Sequence, residues 1–535
     1  MGHIDATGIT MILPDGRLLL DEVSFRVGDG AHAAMVGPNG AGKTTLMRII
    51  AGDVEPFAGA VAQSGGLGVM RQFIGGIRDE TTIRDLLLSL SPPRIKDAAA
   101  KYRAAELKLA EQPESEKVQM RFAQAISDWG DAGGYDMDVL WDICTMQAIK
   151  TPFAQCQDRL VNTLSGGQQK RLALEALLRG PDEVLMLDEP DNYLDVPGKL
   201  WLEEQIKASP KTILLISHDR ALLNAVADRI ITVEDGQVWV HGGSFATYHD
   251  ARKARYERQE EILKRWTEEH ERLKELVRTL QGQAKSSPDM ASKYRAMQTR
   301  LRKFEEAGAP EAPPQDQNIK MNLRGSRTGV RVITCEQTEI AGLLKPFDLE
   351  IFFGDRLAVL GPNGAGKSHL LRLFAETEAD EIKVGKAWSG KKKIGARVVP
   401  GHFAQTHAHP EWVNHTPIEI VNKVKPMLLN ESIGILRKYE LSKQAEQKFQ
   451  TLSGGQQARL QILVLELAGC NLLLLDEPTD NLDLASAEAL QDSLDAFQGT
   501  VIAVTHDRWF ADSFDRYLYV GADGVVRETT APLWA

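Results

Sequence analysis

The sequence has few cysteines, few aromatic residues and no long hydrophobic run. Its four cysteines are widely separated and form no Cys-x-x-Cys pair, so neither a disulfide framework nor a zinc site is expected. No apolar stretch approaches the roughly 18 to 20 residues that cross a bilayer, and the N-terminus lacks a basic start followed by an apolar segment. These absences argue against membrane insertion and secretion, and favour a cytoplasmic protein.

The remaining composition is that of a folded globular chain. Hydrophobic residues make up 43% and charged residues 26%, which excludes disorder as the main state. At about 100 to 200 residues per domain, the 535 residues predict three or four domains.

The acidic charge of the chain is unevenly distributed. The net charge is −11, but residues 251–304 contain 15 basic and 8 acidic side chains, which leaves 48 basic and 66 acidic ones elsewhere. An acidic body therefore carries one basic segment.

An internal duplication organises the rest of the chain. Four motifs occur twice: Gly-Pro-Asn-Gly-Ala-Gly-Lys-Thr/Ser at 37–44 and 361–368, Leu-Ser-Gly-Gly-Gln-Gln at 164–169 and 452–457, Leu-Asp-Glu-Pro at 187–190 and 475–478, and Ser/Thr-His-Asp-Arg at 217–220 and 505–508. The last three pairs share an offset of 288 residues, whereas Lys43 and Lys367 are 324 apart. The constant offset of the last three pairs indicates a shared core. The different offset of the first pair shows that the two halves have insertions of different length between the first and second motifs.

Both halves have the pattern of an α/β fold. Short apolar runs that precede the motifs predict buried parallel strands at 33–36, 184–187 and 213–216, and again at 357–360, 472–475 and 501–504. Residues 93–130 are polar and rich in alanine, which predicts a helical insertion in the first half. That insertion is interpreted as an arm, a lid or a packing element.

The basic segment is predicted to be an antiparallel helical hairpin. Helices are expected over 256–280 and 290–304, separated by 281–289, whose glycine, serine and proline break a helix. Apolar residues recur at steps of three, four and seven on both helices: Trp266, Leu273, Val277 and Leu280 on the first, and Tyr294, Met297, Leu301 and Phe304 on the second. About 25 helical residues would project roughly 37 Å.

The two glycine-rich loops are typical phosphate-binding loops. Backbone N–H groups of such a loop approach phosphate oxygens, and the N-terminus of the following helix adds partial positive charge. Lys43 and Lys367 are expected to neutralise the β- and γ-phosphates. The predicted nucleotide-binding residues are Gly37, Pro38, Asn39, Gly40, Ala41, Gly42, Lys43, Thr44 and Thr45, and Gly361, Pro362, Asn363, Gly364, Ala365, Gly366, Lys367, Ser368 and His369.

Acidic residues follow the second predicted strand of each half. Asp188 and Asp476 end these strands, where a carboxylate holds Mg²⁺ directly or through water, together with the hydroxyls of Thr44 and Ser368. The next residues, Glu189 and Glu477, are predicted to be the bases that polarise the attacking water.

These motifs together resemble those of the ATP-binding cassette ATPases, over nearly the whole chain. The resemblance implies that the signature loop of one cassette closes over the nucleotide held by the other. Ser165, Gly166, Gly167 and Gln168 would then face the nucleotide on Lys367, and Ser453, Gly454, Gly455 and Gln456 the one on Lys43. It also implies that Gln72 and Gln405 sense the γ-phosphate near Mg²⁺, and that His218 and His506 contact the γ-phosphate as switch histidines.

Two cassettes with a basic helical hairpin between them resemble the ABC-F family of translation factors and ribosome-protection proteins. The resemblance implies two tandem P-loop ATP-binding cassette domains, at 1–248 and 319–535, joined by a hairpin linker at 249–318. It also implies a monomer that binds ATP and Mg²⁺, and a linker that enters the ribosome near the exit site and contacts 23S rRNA and tRNA. The basic residues expected to bind RNA are Arg278, Lys285, Lys293, Arg295, Arg300, Arg302 and Lys303.

The sequence departs from the family pattern at two places. The aspartate loop usually reads Asp-Glu-Pro-Thr-Asn-His-Leu-Asp, but here it reads Asp-Glu-Pro-Asp-Asn-Tyr-Leu-Asp at 188–195 and Asp-Glu-Pro-Thr-Asp-Asn-Leu-Asp at 476–483, which leaves the relative rates of the two sites open. No aromatic residue precedes either phosphate loop where adenine usually stacks, so both ATP and GTP remain open as substrates.

Three functions compete at this point. The favoured one is an ATPase that binds the ribosome with two Mg·ATP bound and leaves after hydrolysis. Its use would be either translational regulation or antibiotic displacement, and a tip of only about nine residues favours regulation. The alternatives are the ATPase subunit of a drug exporter, which leaves the hairpin unexplained, and a DNA-repair ATPase.

Overall fold

The computed structural model describes residues 2–284, 288–314, 319, 321, 323, 325, 327–376, 387–404, 409–480 and 482–534. The chain divides into two compact units. One unit is formed by Met1–Gly242 together with Gln317–Ala535, and the other by Gly243–Asp316. In the part of the chain that is described, no helix is both long and apolar enough to cross a membrane.

The first half of the larger unit alternates strands and helices. Its strands are β1 (Ile4–Ile12), β2 (Leu18–Val27), β3 (His32–Val36), β4 (Ala58–Gln63), β5 (Leu67–Met70), β6 (Val184–Asp188), β7 (Thr212–Ile216), β8 (Arg229–Glu234) and β9 (Gln237–His241). Its helices are α1 (Lys43–Ile50), α2 (Ile83–Ser89), α3 (Pro93–Glu111), α4 (Glu116–Asp131), α5 (Gly134–Ile149), α6 (Phe153–Cys156), α7 (Gly166–Arg179), α8 (Val196–Ala208) and α9 (Arg220–Val226).

These strands form two sheets. A six-stranded sheet has the order β5-β6-β7-β3-β8-β9 and is parallel except for the β8–β9 pair, and a three-stranded antiparallel sheet has the order β2-β1-β4. Every residue of β6 and β7 is buried, which explains their unbroken apolar sequence. The strands predicted at 33–36, 184–187 and 213–216 are confirmed.

The helical insertion predicted at 93–130 is confirmed as a helical hairpin. It consists of α3 and α4, and Tyr102 packs on Phe122 with ring centroids 5.5 Å apart. Trp129 continues this aromatic cluster toward Trp141 of α5, at 6.2 Å.

The second half of the larger unit repeats the first. Its strands are β10 (Arg331–Ile340), β11 (Leu344–Phe352), β12 (Arg356–Leu360), β13 (Trp388–Ile394), β14 (Pro400–Phe403), β15 (Leu472–Asp476), β16 (Thr500–Val504), β17 (Arg516–Val520) and β18 (Val526–Thr529). Its helices, numbered after the two of the smaller unit, are α12 (Lys367–Ala375), α13 (Pro417–Val424), α14 (Leu429–Lys438), α15 (Gly454–Ala468), α16 (Leu484–Ala496) and α17 (Arg508–Ala511).

The two halves share one sheet topology. The six-stranded sheet of the second half has the order β14-β15-β16-β12-β17-β18, and its three-stranded sheet the order β11-β10-β13. The strands predicted at 357–360, 472–475 and 501–504 are therefore confirmed, and the chain has a mixed α/β fold with two cassette domains.

The smaller unit is a helical hairpin, but its helices are longer than the sequence predicts. Helix α10 (Phe245–Ala284) has 40 residues and α11 (Pro288–Glu306) has 19. The predicted start at Tyr256 and the predicted tip of nine residues are wrong. The helix continues through Gly282 because one glycine costs only about 1 kcal/mol relative to alanine, and α10 and α11 leave only 285–287 between them.

The hairpin helices pack on each other as the apolar stripes predict. Trp266 of α10 stacks on Phe304 of α11 with ring centroids 5.2 Å apart, and Leu273 is buried. Beside this contact, His270 Nε2 lies 2.9 Å from Glu305 Oε1. A length of 40 residues corresponds to about 60 Å at 1.5 Å per residue.

Candidate active site

The two phosphate loops have the same geometry. Each lies between a central parallel strand, β3 or β12, and the N-terminus of a helix, α1 or α12. Lys43 Nζ donates to the carbonyls of Gly37 (2.7 Å) and Pro38 (3.0 Å). Lys367 Nζ donates to the two equivalent carbonyls, at 2.8 and 2.9 Å. Burial lowers the pKa of both ammonium groups.

The first glycine of each loop has a conformation that only glycine adopts readily. Gly37 has φ of +145° and Gly361 has φ of +139°. A Cβ atom at either position would lie 2.1 Å from a main-chain oxygen, that of Val233 or Val520. Both loops therefore require glycine for the close approach of two backbones.

Asp188 and Asp476 lie next to these loops as expected of cation ligands. Burial, and next the carboxylate of Glu189 or Glu477, raise the pKa of each to about 6. Ser368 Oγ donates to Asp476 Oδ1 at 3.1 Å. Among the described residues, Asp188 Oδ1 is buried and has no hydrogen-bond partner.

A cavity of about 590 Å³ adjoins Asp188 in the first cassette. Thr44 and Gln72 also line it. These side chains carry the hard oxygen ligands that Mg²⁺ prefers. The unpartnered Asp188 Oδ1 is available to bind a cation at this cavity.

In the first cassette, the carboxylate of Glu189 contacts two amides. Gln72 Nε2 donates to Glu189 Oε2 at 2.8 Å, and Asn192 Nδ2 donates to the same oxygen at 2.6 Å. Both ring nitrogens of His218 are buried and have no hydrogen-bond partner in the described part of the chain. Burial, and next the charge of Lys43, lower the pKa of His218 to about 3.

In the second cassette, the glutamate contacts the histidine. The main-chain N–H of His506 donates to Glu477 Oε2 at 2.9 Å. His506 Nε2 lies 3.0 Å from Asn363 Oδ1 and 3.1 Å from Lys367 Nζ. The pKa of His506 is also lowered to about 3, by burial and next by Lys367.

Both glutamates have a strained backbone. Glu189 has φ of +49° and Glu477 has φ of +50°, in the left-handed region that is uncommon for residues other than glycine. Strain of this kind is typical of functional positions.

The two signature loops form identical helix caps. Ser165 caps α7, because its Oγ accepts from Gln168 N at 3.2 Å while Gln168 Oε1 accepts from Ser165 N at 3.0 Å. Ser453 and Gln456 form the same pair of bonds at the start of α15, at 3.4 and 2.9 Å. Each signature loop thereby places a helix N-terminus where an anion is favoured.

The two cassettes contact each other at the phosphate loops. Asn363 Nδ2, in the second phosphate loop, donates to the carbonyl of Tyr193 at 3.0 Å. A Cβ atom on Gly167 would lie 2.8 Å from that carbonyl and 3.9 Å from Asn363 Nδ2. The signature loop of the first cassette thus adjoins the phosphate loop of the second. On the opposite side, Asn39 N donates to Asp483 Oδ2 at 3.0 Å.

Several predicted residues have no described role in these contacts. Gln405 and Lys285 lie outside the described residues. Thr45 and His369 lie in the first turns of α1 and α12. In the hairpin unit, the described basic side chains predicted to bind RNA are all exposed, and two of them form ion pairs, Arg300 with Glu269 at 3.4 Å and Arg302 with Glu306 at 3.5 Å.

Sequence reasoning missed two buried lysines of the first cassette. Lys170 Nζ donates to the carbonyl of Glu189 at 2.7 Å, and Lys199 Nζ lies 2.9 Å from Asp219 Oδ2. Comparison of the two halves at the 288-residue offset would have revealed them, because the second half has alanine at both positions.

Comparison with known proteins agrees with this geometry. The family model described as "ABC transporter" matches residues 20–192 and 344–480. An "Antibiotic resistance protein" of Mycobacteroides abscessus is 52% identical over 552 residues, covering 100% of both chains. The "Tylosin resistance ATP-binding protein TlrC" of Streptomyces fradiae is 29% identical and covers 94% of both.

Two further similarities span the chain. The "Energy-dependent translational throttle protein EttA" of Mycobacterium tuberculosis is 28% identical, covering 93% of this chain and 87% of that one. Among solved structures, the archaeal ribosome recycling factor aABCE1, in complex with the stalk protein aP1, has a TM-score of 0.59 at 18% identity, over 97% of this chain and 89% of that chain. At this identity the structural match supports the fold alone.

Proposed function

Because the chain belongs to the ATP-binding cassette family, and within it to the tandem-cassette ABC-F proteins, it is an ATPase, and we propose that it acts on the ribosome. In this proposal it binds two Mg·ATP between its cassettes, and its basic hairpin contacts RNA near the exit site. Hydrolysis then releases it.

The contact between the cassettes supports two composite nucleotide sites. The observation that carries this step is the position of Gly167 beside Asn363, which belongs to the opposite phosphate loop. In this arrangement Ser165 and its helix N-terminus approach the nucleotide on Lys367, and Ser453 approaches the nucleotide on Lys43. Each nucleotide would then contact both cassettes in the closed state.

Each site has residues that fit Mg²⁺ and an attacking water. Thr44, Gln72 and Asp188 would hold the cation in the first site, and Ser368 and Asp476 in the second, with Gln405 as a further candidate ligand. Bound Mg²⁺ neutralises the charge that develops on the transferred phosphoryl group. Glu189 and Glu477 orient and deprotonate the water, and the neutral imidazoles of His218 and His506 are positioned to contact the γ-phosphate.

The ribosome as partner is supported by the relatives and by the charge of the hairpin. One relative is named for translational throttling and two for antibiotic resistance. The exposed basic side chains of α10 and α11, Arg278, Lys293, Arg295 and Lys303, suit contacts with RNA phosphates in 23S rRNA and tRNA. Such contacts would be strong and sensitive to salt, in a protein that acts as a monomer in the cytoplasm.

The proposed cycle depends on ATP and the ribosome both binding the closed state of the protein more tightly than the open state. ATP shifts the chain toward the closed state only if it binds that state better, and the ribosome must prefer the same state. Hydrolysis removes the contacts of the γ-phosphate with the signature loops, so the closed state loses its advantage and the protein dissociates.

A more specific use, protection against an antibiotic, is favoured by one observation. The relative that is 52% identical over its whole length carries an antibiotic resistance name. Expression of the chain in a sensitive host should raise the inhibitory concentration of a ribosome-targeting drug. The Glu189→Gln, Glu477→Gln variant should not, since it would not leave the ribosome. Unchanged sensitivity to such drugs would leave translational regulation as the use.

Co-sedimentation with ribosomes tests the proposal. The Glu189→Gln, Glu477→Gln variant should sediment with 70S ribosomes in the presence of ATP, and less so as salt increases. In this variant, changing Arg278, Lys285, Lys293, Arg295 and Lys303 to glutamine should abolish binding. The same five changes in the chain that keeps both glutamates should leave its basal ATPase activity intact. Changing the exposed Lys345, Lys391, Lys423, Lys425 and Lys438 of the second cassette to glutamine is the matched control and should have little effect. Absence of ATP-dependent sedimentation would refute the proposal.

A further inference from the structure

Three of the buried charged residues that the first cassette has and the second lacks lie around the loops of Glu189 and His218. Lys170, Asp191 and Lys199 are 0%, 5% and 7% exposed. At the equivalent positions, 288 residues later, the second cassette has alanine, threonine and alanine. We call these three charged residues the buried triad. A buried charge is costly unless it is paired, so the partners of the triad indicate what it does.

Lys170 holds the backbone of Glu189. It lies on α7, and its Nζ donates to the Glu189 carbonyl at 2.7 Å. Glu189 has the left-handed conformation described above, which is unfavourable for a residue with a side chain. Glu477 has the same conformation with an alanine in place of this lysine. What Lys170 adds is a charged hydrogen bond that holds the loop of Glu189 to α7.

Asp191 joins the loop of Glu189 to the loop of His218. It follows Glu189 by two residues, and its Oδ1 accepts a hydrogen bond from Ser217 Oγ at 2.8 Å. Ser217 directly precedes His218, and Ser217 Oγ also accepts from the N–H of Asp219 at 3.0 Å. The two loops that bear the proposed catalytic residues are thus bound to each other through one carboxylate.

Lys199 anchors the second of these loops to α8. Its Nζ lies 2.9 Å from Asp219 Oδ2, and Asp219 also caps α9 by accepting from Leu222 N at 2.9 Å. Burial opposes the charged form of Lys199, but the carboxylates of Asp219 and Asp191 outweigh it, so the pKa of its ammonium lies above the usual range. Lys199 thus forms an ion pair with Asp219 inside this loop network.

The second cassette connects the same two loops differently. There the N–H of His506 donates directly to the carboxylate of Glu477. In the first cassette the carboxylate of Glu189 instead accepts from Gln72 and Asn192. The triad thus accompanies an arrangement in which, within the described part of the chain, the ring of His218 makes no hydrogen bond to the Glu189 carboxylate.

We propose that the buried triad positions Glu189 and slows hydrolysis at the first ATP site, which makes the first site retain nucleotide while the second turns over. Lys170, Asp191 and Lys199 act as positioning residues, through the loops they hold and without touching nucleotide. The inference rests on the proposed roles of Glu189 and His218.

The test transplants the residues of the second cassette into the first. The variant Lys170→Ala, Asp191→Thr, Lys199→Ala is made in a Glu477→Gln background, in which only the first site hydrolyses. Its kcat without ribosomes should rise roughly three- to tenfold, with KM changed by less than about twofold. If Glu477→Gln alone has no measurable turnover, the transplant should make it measurable. An unchanged or lower kcat in the folded variant would overturn the proposal.

Two controls separate positioning from a general effect. The charge of Lys199 also acts on Glu477 and Asp480 of the second cassette. The same transplant in a Glu189→Gln background should therefore raise the activity of the second site by less than it raises that of the first, and an equal rise in both backgrounds would overturn the proposal. Should the transplant fail to fold, Lys170→Met is compared with Lys170→Arg in the Glu477→Gln background. The methionine variant should raise kcat and the arginine variant should not. No difference between them would also overturn the proposal.

A last variant separates this inference from the proposed function. Adding Glu189→Gln to the transplant in the Glu477→Gln background should abolish hydrolysis. Hydrolysis that persists would refute the catalytic role of Glu189, whatever the triad does.

Discussion

The two proposed ATP sites agree closely in their phosphate loops and differ around their glutamates. Both loop lysines donate to the same two carbonyls at nearly the same distances, and both first glycines have the same unusual φ. By contrast, Glu189 accepts from two side-chain amides, whereas Glu477 accepts from the N–H of His506. Phosphate binding depends on backbone geometry, which leaves little room for change. The setting of a catalytic carboxylate depends on side chains, which diverge more freely after a duplication.

The largest predicted effect tests the similarity of the two loops. Gly37→Ala and Gly361→Ala should each destabilise the chain by about 4 kcal/mol or more, because the new Cβ meets a main-chain oxygen and the φ is strained. Chemical denaturation measures the loss. Gly28→Ala and Gly434→Ala are matched controls, since a Cβ at either position meets nothing within 4 Å. A clear difference between the stability losses of Gly37→Ala and Gly361→Ala would contradict the similarity of the two loops.

The next effect concerns ion pairs across the cassette interface. Arg508 pairs with the buried Glu203, whereas Arg220, at the equivalent position, faces Gln491 at 3.4 Å and the partly exposed Glu488 at 3.6 Å. Arg508→Ala leaves a buried carboxylate unpaired and should cost about 3 kcal/mol. Arg220→Ala should cost about 1 kcal/mol or less. Thermal unfolding without nucleotide compares the two, and equal losses would contradict this asymmetry.

A smaller effect tests the difference between the glutamates. Glu477→Gln should lower steady-state ATP hydrolysis by about tenfold or more, and Glu189→Gln by less than about threefold. A tenfold change corresponds to about 1.4 kcal/mol in the activation barrier. Phosphate release at saturating ATP measures both, with nucleotide binding by each variant as the control. Equal losses would mean that the different contacts of the two glutamates have no consequence for rate.

Most of the fold could be predicted from the sequence, because strands buried on both faces of a sheet have unbroken apolar runs. The position of the hairpin was predicted for a similar reason, since Trp266 and Phe304 belong to apolar stripes that pack together. The length of α10 was not, because its first residues and Gly282 lack the features by which a helix is recognised. A glycine in a long helix is tolerated when its neighbours favour helix strongly.

The candidate site could be predicted only where residue type and spacing carry the chemistry. The phosphate loops and the Asp-Glu pairs belong to this class. Lys170 and Lys199 do not, because each is a single charged residue in a helix, and its importance follows from the loops it meets in space. The sequence also leaves undefined which groups donate to the carboxylates of Glu189 and Glu477.

The central claim is that each ATP site is completed by the signature loop of the opposite cassette. Two variants on a Glu189→Gln background, in which only the site on Lys367 is active, test it directly. Ser165→Arg should abolish the remaining hydrolysis, because that loop completes the active site. Ser453→Arg should leave it within about twofold, because that loop completes the disabled site. The reverse result, with loss of activity in Ser453→Arg and retention in Ser165→Arg, would contradict the account.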